Sequence, residues 1–205
     1  MVLSKVNIHT EIRTLLHEAA AGFFANTHID NWIDQAAMDI SSKTLCYEAS
    51  DEITLVDKQL EYSVPSGCIK VVSCQFEKKG LVRIYPRHMG NISDVIAGRP
   101  EFYYEFAAKI GIWPLCNATN DGKKVTVLSS KQTSVITNIV DQYRPYAILY
   151  GLYRGLLKDK KYASASNIVT VYLNNLLFHR QDLQERPPDS WDMMKLAQRT
   201  LAIKR

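Results

Sequence analysis

Apolar positions follow a helical period in the first part of the chain. One stripe has members three or four residues apart: Ile8, Ile12, Leu15, Leu16, Ala19 and Phe23. It predicts an amphipathic helix that ends at Gly22 and the cluster at 26–28. A second stripe, with Asp30 or Thr27 as its cap, predicts another helix through residues that share one face: Ile33, Ala36, Ala37, Ile40 and Thr44. Trp32 begins this second helix and is expected to pack against the first.

The spacing of apolar residues becomes alternating in the middle of the chain. Alternation predicts strands at Leu60–Val64, Cys68–Phe76 and Leu81–Tyr85. Pro65–Gly67 and Lys78–Gly80 are turn sequences between them. Because these connections are too short for parallel crossovers, the three strands are predicted to form an antiparallel meander.

A long stretch without periodicity, Arg87–Pro100, separates these strands from a second set. Loops of this length in a compact domain are commonly functional or disordered. Strands are predicted again at Phe102–Phe106, Lys109–Trp113 and Lys123–Leu128. The turn signal Asn120–Gly122 precedes the last of them.

Helical spacing returns from Asp141 onward. Pro145 suits a first helical turn, where its missing N–H costs nothing. Apolar positions at helical spacing lie on both sides of the charged turn Lys158–Lys161, which predicts an αα-hairpin. A place in the core of this hairpin is favoured over an interface for four tyrosines: Tyr146, Tyr150, Tyr153 and Tyr172.

The order of these elements predicts an α+β fold. Residues 1–46 and 141–180 are predicted to form a helical bundle, into which residues 47–140 are inserted as an antiparallel β-rich domain. Residues 181–205 are predicted to be a C-terminal tail. After a Pro-Pro break the tail carries an amphipathic stretch with candidate anchors for a partner: Trp191, Met193, Met194, Leu196 and Arg199. Docking of this stretch on its own domain is the alternative.

Composition indicates a globular protein: 46% of the 205 residues are hydrophobic and 22% are charged. The net charge of +4 permits contact with nucleic acid but is lower than that of a dedicated DNA-binding domain. Apolar runs are shorter than the roughly 18 residues that a membrane helix needs. The N-terminus has polar residues where a signal peptide would be apolar. We therefore predict a protein made in a cytoplasm, without membrane contact.

The sequence offers little for catalysis. It has neither a phosphate-binding loop nor a nucleophile elbow. His88 is the best catalytic candidate, but a solvated loop histidine is the favoured interpretation. Glu101 and Glu105 would stand roughly 13 Å apart on one strand, too far to share a proton. The four cysteines lack metal-ligand spacing and are interpreted as small buried hydrophobic residues: Cys46, Cys68, Cys74 and Cys116. We predict no enzyme, no metal and no cofactor.

Four segments of the chain can be compared with known families: the early helix DNWIDQAAMDISSKT (Asp30–Thr44), the strand-turn-strand segment Glu61–Pro86, the segment Gly98–Leu115 and the helix pair Arg144–Leu176. They resemble the head-to-tail adaptor proteins of tailed bacteriophages, the connector or tail tubular protein A-like family. The helix pair, with its tyrosine-rich first helix and its charged turn, is the most specific of the four. Together they cover roughly residues 5–180.

The resemblance implies a non-enzymatic structural protein of the virion neck or tail, made in the host cytoplasm. Copies are expected to form a ring, usually a dodecamer, that joins the portal protein to tail or nozzle proteins. DNA would pass through the ring without sequence-specific contacts. The anchors in the tail would bind the portal, and basic residues of two turns are candidates to line the channel: Lys78, Lys79, Lys158, Lys160 and Lys161. The alternatives are another neck or tail-completion protein, or a DNA-binding or host interaction module.

Overall fold

The computed structural model describes residues 4–18, 20–85 and 97–184 of the chain. Within these ranges the protein has four α-helices: α1 (Lys5–Leu15), α2 (Asn26–Thr44), α3 (Arg144–Lys158) and α4 (Tyr162–Gln184). All the described strands lie between α2 and α3, so helices and strands are segregated along the chain. This arrangement confirms the predicted α+β class.

The strands of the described ranges form three sheets. In chain order they are β1 (Glu48–Thr54), β2 (Glu61–Ser63), β3 (Cys68–Phe76), β4 (Lys79–Gly80), β5 (Val82–Arg83), β6 (Ala97–Gly98), β7 (Phe102–Phe106), β8 (Lys109–Trp113), β9 (Leu115–Cys116) and β10 (Lys124–Lys131). One sheet has the order β1-β10-β3-β4, another has the order β2-β8-β7-β5, and β6 pairs with β9.

The meander predicted for residues 60–85 is wrong. Strand β2 pairs with β8, whereas β3 belongs to a different sheet, so the turn between β2 and β3 does not form a hairpin. The segment Leu81–Tyr85 is not one strand, because β4 pairs with β3 and β5 runs parallel to β7. A short turn reverses the direction of the chain, but strands distant in sequence determine which sheet each strand joins.

The chain divides into two compact units. The first comprises described residues of Met1–Ala49, Ser66–Lys70 and Ser129–Gln181, and therefore α1, α2, α3 and α4 as far as Gln181. The second comprises Ser50–Pro65, described residues of Val71–Leu128 with most of the strands, and the last three residues of α4.

Small residues on α3 bring α1 close to it in the first unit. Ala147, Gly151 and Gly155 lie four residues apart on one face and are all buried. A Cβ atom on Gly151 would lie 2.3 Å from Cδ1 of Ile12, and one on Gly155 would lie 2.7 Å from both Cδ atoms of Leu16. The absence of these two Cβ atoms therefore lets α1 side chains contact the α3 backbone.

The first helix is shorter than predicted, because it ends at Leu15 and not at Gly22. The buried guanidinium of Arg13 donates to the carbonyl oxygens of Ala20 (3.1 Å) and Phe24 (2.8 Å) and to Oδ1 of Asn26 (2.6 Å). These bonds hold residues 20–26 folded back beside the end of α1. A continued helix would carry the same carbonyl groups out of reach of Arg13.

The second helix begins at Asn26, with Ala25 in the N-cap position, so neither Thr27 nor Asp30 caps it. Trp32 is buried within the helix instead of starting it. Its ring contacts Phe24 edge to face, at 5.9 Å between ring centroids. This ring contact is with a residue of the α1–α2 connection, whereas the sequence predicts packing on the first helix.

Helices α3 and α4 form the predicted αα-hairpin, with Pro145 in the first turn of α3. Their rings meet in antiparallel order: Tyr150 lies 5.7 Å from Tyr172, and Tyr146 lies 5.4 Å from His179. Tyr172 is fully buried and Tyr146 and Tyr150 pack against the core, so the core interpretation of these three tyrosines is confirmed.

The second unit contains the β7–β8 hairpin, whose strands have the predicted bounds. The turn residues Ala107 and Ala108 both have positive φ, as a two-residue hairpin turn requires. Tyr104 pairs with Gly111 across the strands, and a Cβ atom on Gly111 would lie 2.0 Å from the tyrosine ring. The ring of Tyr104 therefore covers the glycine backbone.

Two other expectations need correction. The sequence pattern does not predict strand β1, Glu48–Thr54. Its residues alternate between exposed and half-buried positions, so the strand has no fully apolar face. Of the four cysteines, Cys74 and Cys116 are buried as expected, whereas Cys46 and Cys68 are half-buried. Most of the predicted loop Arg87–Pro100 lies outside the described residues, and its described end contains β6.

Candidate interaction surfaces

Helix α4 presents an apolar surface to solvent. It buries Ala165, Tyr172 and Leu176, yet four large apolar side chains on its other sides are exposed: Val171 (49%), Leu173 (36%), Leu177 (58%) and Phe178 (66%). We call these four residues the α4 outer face. At about 100° per residue, Val171 and Phe178 lie on one side of this face and Leu173 and Leu177 on the other, with the exposed Thr170 and Asn174 between them. Large apolar side chains exposed together on one helix are typical of interaction sites on soluble proteins.

The same helix carries no charge over most of its length. Residues 162–178 include no Asp, Glu, Lys or Arg, and their polar members are Ser, Thr, Asn and Tyr. A solvent-facing helix normally shows charged residues on its outer side, whereas a helix that is apolar on all sides is usually buried. The α4 outer face is therefore suited to a neutral, apolar partner surface.

A tyrosine–carboxylate pair fixes α4 on the rest of its unit. The Tyr172 hydroxyl donates to Oδ2 of Asp39 on α2 at 2.5 Å, and Lys43 forms an ion pair with Oδ1 of the same carboxylate. Burial raises the pKa of Tyr172, and the bond to Asp39 raises it further. This anchor determines which side of α4 faces the solvent.

Two of the channel candidates lie at the β3–β4 hairpin of the second unit. Glu77 and Lys78 both have positive φ in its two-residue turn. Lys78 and Lys79 are exposed, and neither forms an ion pair with a described residue. Beside them Glu77 accepts from Lys123 (2.9 Å) and lies 3.1 Å from Arg99. The Lys123 ammonium lowers the pKa of Glu77, so this carboxylate stays ionised.

The other three channel candidates lie at the α3–α4 turn of the first unit, and two of them have partners there. Lys158 donates to the Phe23 carbonyl oxygen (2.9 Å), contacts Nδ1 of His28 (2.8 Å) and lies 4.9 Å from the Phe23 ring centroid. Lys161 pairs with Asp159 at 2.7 Å. Lys160, with a φ of 59°, is exposed and forms no ion pair with a described residue. Of the three, Lys160 is thus the best placed to contact phosphate.

The second unit also holds a surface network of polar side chains. Glu61 on β2 accepts from the Tyr104 hydroxyl (3.2 Å) and from Lys109 (2.9 Å). Burial raises the pKa of Tyr104 to about 12, and the neighbouring Glu61 carboxylate adds to this shift. The hydrogen bond from Lys109 lowers the pKa of Glu61. The tyrosine stays protonated and the carboxylate ionised at neutral pH, so this network holds β2 to the hairpin.

Of the candidate catalytic residues, the structure describes Glu101 and Glu105. His88 lies outside the described residues, and Glu105 is held by Arg83 at 3.1 Å. Over the described ranges, no three His, Cys, Asp or Glu side chains come close enough together to hold a metal ion. None of the described helices is both long and apolar enough to cross a membrane.

The candidate portal anchors all follow residue 184 and lie outside the described residues: Trp191, Met193, Met194, Leu196 and Arg199. The α4 outer face was not among the predicted site residues. Its signal in the sequence is the uncharged run 162–178.

An exposed, uncharged, apolar helix surface is typical of proteins that act by binding other macromolecules. The comparison with known families gives this class a definite form. The family model of the SU10 adaptor protein matches residues 7–191, and the chain belongs to that family. It is thus a bacteriophage adaptor protein, a structural component of the virion, and the predicted resemblance is confirmed. A search of curated proteins gives no match.

Proposed function

We propose that the protein forms a ring beneath the portal protein, joins the capsid to the tail and leaves a channel for DNA. The observation that carries this proposal is the α4 outer face, an apolar surface on a chain of an adaptor family. Ring closure needs two different complementary surfaces on each copy and no self-complementary patch. The ring is expected to be a dodecamer.

The parts of the chain would then have separate roles. The helical bundle of residues 1–46 and 141–180 packs around the ring, and the β-rich residues 47–140 face the tail or nozzle proteins. The tail 181–205 reaches the portal. Its apolar anchors support this role, because aromatic residues that bury against a partner contribute most to binding.

A mildly positive channel wall would let DNA slide through without holding it. Lys78, Lys79 and Lys160 are exposed and form no ion pair with described residues, which leaves their charges available to phosphate. Contacts to few phosphates give weak binding that falls with salt, and tight binding would arrest the DNA. We expect the Lys78→Gln/Lys79→Gln variant to bind duplex DNA more weakly than wild type at low salt. Lys109→Gln, which removes a lysine paired with Glu61, is the control.

Negative-stain microscopy of the protein mixed with the portal protein of the same phage tests the ring. A closed ring on the portal is the expected result. Bare portal rings in the presence of excess protein would contradict it and favour the second candidate, a neck or tail-completion protein placed lower in the virion.

Deletion of residues 186–205 tests the role of the tail. We expect the shortened chain to keep its far-UV circular dichroism and to lose portal binding. Trp191→Ala should weaken binding more than Lys204→Ala, since a buried anchor contributes more than a charge at the rim. Unchanged binding after the deletion would contradict a portal contact of the tail.

A further inference from the structure

A second uncharged helix surface lies on the same unit, on α1. Its exposed residues include Val6 (73%), Thr10, Thr14 and Leu15 (45%). We call the first three, which are four residues apart, the α1 outer face. The acidic and basic residues of α1 each form an ion pair within the unit: Lys5 with Asp34, Glu11 with Arg144, and Arg13 with Glu18.

The threonines make this face more apolar than its composition suggests. The Thr10 hydroxyl donates to the carbonyl oxygen of Val6, and the Thr14 hydroxyl donates to that of Thr10, both at 3.0 Å. Thr170 on α4 does the same toward Ser166 at 2.9 Å. With the hydroxyl groups bonded to their own helices, the exposed threonines offer their methyl groups to a partner. Such ridges of small side chains let two helices pack closely.

The two helices that carry these faces pack on different sides of α3. Helix α1 packs on α3 at Gly151 and Gly155, whereas α4 packs on α3 at Tyr146 and Tyr150. Gly151 and Tyr146 are five residues apart, as are Gly155 and Tyr150, which is about 140° around a helix of 3.6 residues per turn. A copy can therefore use one face toward each of two neighbours.

We propose that the α4 outer face of one copy packs against the α1 outer face of the next. The contact is head to tail, so it generates a ring or an open array and not a closed pair. Both faces lack charge, which matches them to each other and disfavours DNA or a charged protein as the occupant. This assignment rests on the proposed ring and specifies the surfaces that close it.

Charge complementation between the two faces provides the test. Thr10→Lys places a positive charge at an exposed position of α1, and Asn174→Glu places a negative charge at an exposed position of α4. Each should raise the concentration needed for assembly at least about tenfold, because the charge would be buried opposite a neutral surface. Assembly is measured by sedimentation of the protein alone and by microscopy on portal rings. Gln35→Lys, exposed on α2, is the control and should assemble like wild type.

The combination of variants distinguishes the head-to-tail contact from its alternatives. The Thr10→Lys/Asn174→Glu double variant should recover assembly, since every contact then joins a lysine to a glutamate. In an α4–α4 contact two glutamates would meet, so no recovery would overturn the proposal. Loss of portal binding by Asn174→Glu with intact self-assembly would assign the face to the portal, again overturning it.

Different results would contradict the proposed ring and the proposed contact between α4 and α1. If wild-type protein forms no ring with or without the portal, the proposed function is wrong. If wild-type rings form and Asn174→Glu rings form equally well, the ring stands and the assignment of α4 is wrong. Circular dichroism and the melting temperature of each variant show that its fold is intact.

Discussion

The close approach of α1 and α3 predicts that a single methyl group on Gly151 destabilises the first unit. The Cβ atom of Gly151→Ala would lie 2.3 Å from Cδ1 and 2.9 Å from Cγ1 of Ile12, a fully buried residue that has little room to move. Overpacking of this kind costs about 2 kcal/mol. The better helix propensity of alanine offsets about 1 kcal/mol, so we expect a net loss of about 1 kcal/mol.

A second substitution tests whether the clash is the cause. Ile12→Val removes Cδ1, the atom nearest to the new methyl group, and by itself should cost about 1 kcal/mol through the cavity it leaves. In the Gly151→Ala/Ile12→Val double variant the alanine methyl occupies the vacated space. We therefore expect stability within about 0.5 kcal/mol of wild type, where additive effects would give a loss of about 2 kcal/mol.

Urea unfolding followed by circular dichroism at 222 nm is the appropriate assay, because α1, α2, α3 and α4 as far as Gln181 belong to the first unit. Additivity of the two substitutions within about 0.5 kcal/mol would refute the steric explanation.

Three further predictions concern polar side chains. Arg13→Lys should lower stability by about 2 kcal/mol, because lysine cannot reach the Ala20, Phe24 and Asn26 acceptors together. A thermal melt measures this loss, and Arg83→Lys, at a half-exposed residue paired with Glu105, is the control. An equal loss of stability in both variants would contradict the prediction. Tyr172→Phe should lower the free energy of unfolding by about 2 kcal/mol, because the hydrogen bond to Asp39 is lost. Urea unfolding measures this change, and a variant as stable as wild type would contradict the anchoring role of Tyr172. Tyr104 has a folded pKa of about 12, above its ordinary value of 10.0, so its contribution is complete below pH 10 and is lost as pH rises through 12. Absorbance titration at 295 nm should show one late tyrosine fewer in Tyr104→Phe, and an identical curve would exclude the shift.

Elements held together by neighbours in sequence could be predicted, and those held by distant partners could not. The β7–β8 hairpin has its predicted bounds, because its strands alternate and a two-residue turn joins them. The αα-hairpin follows from Pro145 and the charged turn. By contrast, the early end of α1 depends on bonds from Arg13 to residues that follow the helix, and apolar spacing alone does not reveal them.

For the sheets and the candidate surface, too, local sequence patterns could be interpreted but contacts between distant residues could not be predicted. Strand β2 pairs with β8, almost fifty positions later, and no local pattern in Glu61–Ser63 indicates that partner. The family resemblance could be predicted from four segments of the sequence. The α4 outer face could not, because apolar residues surround the helix and only the position of Tyr172 against Asp39 decides which of them are buried.

The interleaved composition of the two units has a consequence for synthesis on the ribosome. All the stretches of the second unit up to Leu128 emerge before α3, whereas α1 and α2 must wait for it. At about 5–20 residues per second, α1 waits on the order of ten seconds for Gly151 and Gly155. During that interval α3 is not there to cover Ile12, so the nascent N-terminal helices present apolar surface that a chaperone can bind.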